Sequence, residues 1–124
     1  MLKIEEDIIY LTRGDDAVLD VNMQNLEGVP YVMQSGDTLT LTVRERPEES
    51  SLPVFAATST PGSSRIIIPA KATAEAEPGQ YSADIQLTTQ DDKRYTVWPD
   101  LDVERRHKTS NMKNFVIMPE VTMS

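Results

Sequence analysis

Cysteine is absent from this 124-residue chain, and histidine occurs once. Without cysteine there is no disulfide framework, no thiolate nucleophile and no cysteine-ligated zinc. A chain without thiols folds in reducing and oxidising compartments alike, so the compartment stays open. Basic residues are outnumbered, 12 Lys and Arg against 20 Asp and Glu, for a net charge of −8. That balance argues against nucleic acid, whose phosphates require a cationic face. The one basic cluster, Arg105-Arg106-His107-Lys108, follows Asp100, Asp102 and Glu104 and is nearly neutralised by them. No apolar run approaches the ~20 residues of a membrane-spanning helix. The opening stretch MLKIEEDIIYL interrupts its apolar residues with acids, so no signal peptide is expected there.

Glycine is also scarce. Five residues, one to a turn, do not form a phosphate-cradling loop. Nucleophilic catalysis needs a nucleophile, a base in reach and a group to orient that base. The single histidine, His107, lies in the most charged and loop-like part of the chain, and it reads as an exposed loop residue rather than a base. Paired-carboxylate catalysis requires one carboxyl buried enough to keep its proton, whereas the acids here fall in turns or on outward strand positions. Asp15-Asp16 and Asp91-Asp92 offer oxygens for a hard cation, but no D-x-D-x-D-G loop accompanies them. No catalytic, cofactor or metal residue is assigned, and the chain is expected not to be an enzyme.

What is present is period-two alternation, the mark of strands with one buried face. Ala17, Leu19, Val21 and Met23 alternate with Val18, Asp20 and Asn22. Leu39, Leu41 and Val43 alternate with Thr38, Thr40, Thr42 and Arg44. Tyr81, Ala83, Ile85 and Leu87 alternate with Ser82, Asp84, Gln86 and Thr88. Further strands are expected over Ile8–Thr12, Val54–Thr58, Ser64–Ile68, Arg94–Trp98 and Asn114–Met118. Gln90-Asp91-Asp92-Lys93 has the chemistry of a hairpin tip, and 71–79 that of one helical turn stopped by Pro78-Gly79. Residues 45–53 read as an exposed crossing, and 100–112 as the longest loop.

Eight short strands at this spacing predict one all-β domain over residues 1–124. The segment leading through Gly79 to Tyr81 matches a tyrosine corner, in which the phenol bonds back to the backbone between two strands. The prediction is therefore an immunoglobulin-like antiparallel β-sandwich of about 7–8 strands. The immunoglobulin disulfide and its buried-tryptophan spacing are absent.

Arg13-Gly14-Asp15 spells the tripeptide that integrin-type receptors read on exposed loops. Gly36-Asp37 repeats its last two letters before a strand of the same pattern. Glycine supplies a permissive backbone and Asp can bond its own backbone two residues on, so both pairs read as turns that launch strands. Tyr95 and Trp98 form a candidate stacking platform for a sugar. A tryptophan ending a strand before proline is more often a residue at the rim of the core. Tyr95, Trp98, Arg105, Arg106 and His107 make up the candidate ligand or partner surface.

The stretches YLTRGDDAVLDVNMQNLEGVPYVMQSGDTLTLTVRER (10–46) and EPGQYSADIQLTTQDDKRYTV (77–97) resemble the N-terminal domain of baseplate upper proteins of Gram-positive phages. The shared pattern is an aromatic strand, a Gly-Asp turn and an alternating strand. A turn with Gly and PY, a threonine-rich strand and a G-x-Y strand leading into an acidic hairpin follow. The hairpin here reads Asp91-Asp92 where Asp-Gly is commoner. The resemblance implies a non-enzymatic structural module of a phage or prophage tail or baseplate, assembled in the bacterial cytoplasm and carried in the virion. Its partners would be other tail or baseplate proteins or further copies of itself, with no nucleic acid and no membrane involved. The alternative is a carbohydrate- or cell-surface-binding sandwich that uses Tyr95, Trp98 and the long loop. A glycosidase-like or metal-dependent enzyme is a distant third.

Overall fold

The computed structural model describes residues 2–5, 8–24, 27–45, 53–98 and 113–120. Among them are nine strands and one short 3-10 turn. The strands are β1 (Leu2–Glu5), β2 (Ile8–Thr12), β3 (Ala17–Asp20), β4 (Thr38–Arg44), β5 (Pro53–Thr58), β6 (Arg65–Ile68), β7 (Gly79–Thr88), β8 (Arg94–Trp98) and β9 (Phe115–Met118). The turn, Ala70–Ala72, lies where one helical turn was expected.

The strands form two sheets. The larger runs β1-β2-β9-β7-β4-β5, with β8 also on β7, and the smaller is β3-β6. Alternation decides what lies between them. Leu39, Leu41 and Val43 of β4, Ala83, Ile85 and Leu87 of β7, and Phe115 and Ile117 of β9 are buried. So are Ala17 and Leu19 of β3 and Ile66 and Ile68 of β6, and all of them form one core cluster. Phe55 of β5 meets Phe115 edge-on, with ring centroids 5.8 Å apart, the geometry that aromatic quadrupoles favour. This is an all-β sandwich, as the alternation predicted. The Tyr81 hydroxyl donates to the Glu77 carbonyl, four residues back, which is the tyrosine corner. Burial, with the charges of Glu45 and Glu77, pushes the Tyr81 phenol up from its ordinary pKa.

Three expectations need correction. The sheet is mixed, because β2 pairs parallel with β9. Parallel neighbours need a long connection, and nearly the whole chain lies between these two. β1 was not expected; four residues alternating Leu-Lys-Ile-Glu pair antiparallel with β2, too short a run to stand out among the acids around it. The first long strand ends at Asp20 rather than Met23, because its partner β6 has only four residues. Val21 N–H still reaches the Ser64 carbonyl at 3.0 Å, after which the chain turns away. Most of the expected 45–53 crossing and the whole 100–112 loop lie outside the described residues.

β8 and β9 lie end to end along the same edge of β7. β9 covers Gly79 to Tyr81, and β8 covers Ile85 to Thr88. Between them Ala83 would have no strand partner on that edge. Asn114 supplies one with its side chain: the Ala83 N–H donates to Asn114 Oδ1 at 2.7 Å, and Asn114 Nδ2 donates to the Ala83 carbonyl at 2.9 Å. Its backbone is also engaged, N–H to the Tyr81 carbonyl and C=O from the Ile9 N–H. One buried amide thus stands in for a missing peptide of the ladder.

Candidate functional site

Parts of three connections meet at one end of the sandwich: 21–24 with 27–37, 59–64 and the hairpin tip 89–93. The tip is closed by Thr89 N–H to the Lys93 carbonyl at 2.8 Å and Asp92 N–H to the Thr89 carbonyl at 2.9 Å. Asp92 takes φ +65°, a left-handed position that Asp tolerates better than most residues. Here Asp-Asp serves where Asp-Gly would be commoner.

Asp37 organises this end. Its side chain does not bond two residues forward, as expected of the Gly-Asp turn. The carboxylate instead accepts the Gln34 N–H at 3.0 Å and the Tyr31 hydroxyl at 2.5 Å. These donors, with a backbone bond from Gln90, hold the Asp37 carboxyl below its ordinary pKa against the opposing effect of desolvation. The same bond pushes the Tyr31 phenol up to about 12, with smaller contributions from burial and from Asp37, Tyr95 and Asp91 charge. Gly36 takes φ +95°, and a Cβ there would lie 3.1 Å from Gln90 Cγ. The turn therefore needs glycine twice, for its backbone angle and for the Gln90 side chain that lies across it. The result is an open cleft of about 560 Å³ lined by Tyr31, Gln34, Asp37, Thr89, Gln90 and Asp91.

The Arg13-Gly14-Asp15 turn lies against the corner that holds the 3-10 turn. Gly14 takes φ +81°, and its N–H donates to the hydroxyl of buried Thr73 at 2.9 Å. Arg13 Nε pairs with Glu120 at 3.3 Å, and its Nη1 lies 3.4 Å from the Ala76 carbonyl. Asp15 N–H closes the turn on the Thr12 carbonyl, and Asp16 accepts the Ala70 N–H at 2.7 Å. The guanidinium a receptor would read is engaged within the fold, and the tripeptide acts as a strand-launching turn.

Tyr95 and Trp98 both belong to β8. Tyr95 is half exposed on β8, opposite Leu87, whereas Trp98 lies opposite Ile85 past a bulge and packs against the core. Gly79 opens β7 opposite Ile117, and Tyr81 serves the corner. Arg105, Arg106 and His107 lie outside the described residues. No group of three or more metal-binding side chains occurs among the described residues, and no helix there is long and apolar enough to cross a membrane.

A second surface is the outer face of the small sheet. Val18 and Ile67 face each other across β3 and β6 and are 51% and 62% exposed. Beside them Arg65 and Asp20 pair at 3.0 Å. Val18 could have been found in the sequence as an apolar residue at an outward position of its strand. Ile67 is hidden there by its neighbours in the run Ile66-Ile67-Ile68. Tyr31, Gln34 and Gln90 carry no periodic signal, since they belong to turns.

No family model, curated protein or solved structure matches the chain.

Proposed function

We propose that the chain is a non-enzymatic assembly module of a phage or prophage tail or baseplate, packing against copies of itself or neighbouring tail proteins. The tail context comes from the resemblance of residues 10–46 and 77–97. The observation that carries the assembly role is the exposed Val18–Ile67 pair, two β-branched side chains placed side by side on a two-stranded face. Contiguous apolar surface on a β-sheet is a contact waiting for a partner. The flanking Arg65–Asp20 pair carries both signs of charge, so the face can meet a rotated copy of itself with each charge near its opposite.

The face is small. Two four-residue strands bury on the order of a few hundred Å² per copy, below the ~800 Å² per partner of a stable pairwise interface. Such a contact works by repetition, each neighbour raising the effective concentration of the next. Analytical ultracentrifugation to high protein concentration tests this. The wild-type chain should show concentration-dependent self-association that Val18→Lys with Ile67→Lys abolishes while the thermal midpoint is kept. A sedimentation coefficient that is flat with concentration, or association indifferent to the double substitution, refutes the reading.

A further inference from the structure

The cleft at the loop end plays no part in that assembly role, and its lining is specific. Tyr31 has its hydroxyl committed to Asp37, so it offers the cleft a ring held in one orientation. Rigid tyrosines provide contact area at little entropic cost. Tyr95 is half exposed on β8 nearby and contributes to the electrostatic environment of Tyr31. Around the rings stand two amides. Gln34 donates its Nε2 to the Val32 carbonyl at 2.8 Å, which fixes the side chain. Gln90 is laid over Gly36, where any Cβ would crowd it. Asp91 completes the rim, with Oδ1 bonded to the Thr89 hydroxyl and Oδ2 3.6 Å from Lys93 Nζ.

We propose that this cleft, formed by Tyr31, Gln34, Gln90 and Asp91 with Tyr95 beside it, binds a neutral sugar ring. Aromatic rings take the C–H face of a pyranose, and each amide or carboxylate can bond neighbouring hydroxyls as donor, acceptor or both. The site is shallow and open, as suits the end of a glycan rather than an enclosed metabolite. Its carboxylates, Asp37 beneath and Asp91 at the rim, disfavour acidic sugars. Its polar lining offers little to the apolar side chains that anchor a peptide. The function goes beyond assembly, on a different surface from Val18 and Ile67.

The test is amide-resolved NMR titration of the whole chain with glucose, galactose, mannose, N-acetylglucosamine and their disaccharides. N-acetylneuraminic acid and an uncharged peptide serve as comparators. At least one neutral sugar should shift the signals of residues 31, 34, 90, 91 and 95 and leave those of 18 and 67 unmoved. Gln90→Ala and Tyr95→Ala, both at exposed side chains, should each weaken binding by about tenfold with an unchanged thermal midpoint. Either variant suffices if the other loses stability. The proposal is overturned if no neutral sugar shifts these signals at tens of millimolar, or if the shifts map elsewhere. It also falls if the acidic sugar or the peptide binds the cleft more tightly.

Discussion

Replacing Asn114 with alanine should be among the most costly single substitutions in this protein, although it removes only a small polar side chain. The residue is 2% exposed, and its amide satisfies both the N–H and the C=O of Ala83. Ala83 is itself buried in the middle of β7, at the gap between the two strands that share its edge. In Asn114→Ala both backbone groups lose their partner where water enters only by opening the sheet. An unsatisfied buried group costs about 1–3 kcal/mol, so the pair costs about 2–6 kcal/mol. For a domain of this size that lowers the thermal midpoint by roughly 10 °C. Trp98, the single tryptophan, ends β8 against the core and reports unfolding in urea directly. Asn114→Asp separates the two bonds. Its carboxylate still accepts from Ala83 N–H but opposes the Ala83 carbonyl, which raises the folded-state pKa above the ~3.9 of an unfolded Asp. A raised folded pKa adds stability at pH below the unfolded value, and that stability is lost as pH rises through the folded pKa. Asn114→Asp should therefore recover relative to Asn114→Ala in acid and fall behind it near neutrality. A loss under about 0.5 kcal/mol for the alanine variant, the range of ordinary surface changes, refutes the reasoning. So does an aspartate variant that tracks the alanine variant at every pH.

Three further outcomes follow from the turns. Tyr31→Phe removes the main donor that lowers the Asp37 pKa; wild-type Asp37 adds stability above the unfolded carboxyl pKa that is lost as pH falls through the lower folded value. The variant should lose stability in acid at a higher pH than wild type, followed by acid titration of the circular dichroism signal. In the wild type, phenolate absorbance should show one tyrosine, Tyr31, ionising near 12, and the stability its neutral form carries should fade as pH rises above about 10. Gly14→Ala places a Cβ on a backbone at φ +81°, 3.3 Å from Glu120 Oε1. It should cost about 1–2 kcal/mol by urea denaturation, whereas an unchanged midpoint would show that the turn relaxes freely.

Much of the fold was legible because β3, β4 and β7 alternate apolar and polar residues, and that alternation is what burial on one face imposes. The corner was legible because Gly79 and Tyr81 hold fixed positions relative to it. The parallel pairing of β2 with β9 was not, since it is fixed by contacts between residues nearly the whole chain apart. Asn114 could be placed at the start of a strand, but no local pattern announces that its side chain would substitute for a peptide group. The loop-end cleft was only half visible. Asp37 stood out as a turn residue and Tyr95 as an exposed aromatic, but Tyr31 joins them through a bond that spans a non-repetitive segment. Trp98 was legible as a residue at the rim of the core, where it packs, but the bulge that sets it opposite Ile85 leaves no mark in the sequence.

The division of one sheet edge between β8 and β9 gives the domain a slot for inserted sequence. The chain is held at Trp98, opposite Ile85 of β7, and again at Phe115, opposite Tyr81, positions only four residues apart, roughly 14 Å at strand spacing. Both anchors belong to the sheet, so the sequence between them can change in length and character while the ladder on either side stays in register. Closing a longer excursion costs only the logarithm of its length, about 0.6 kcal/mol per doubling. An engineer could graft a foreign peptide there, using Trp98 and Asn114 as fixed ends.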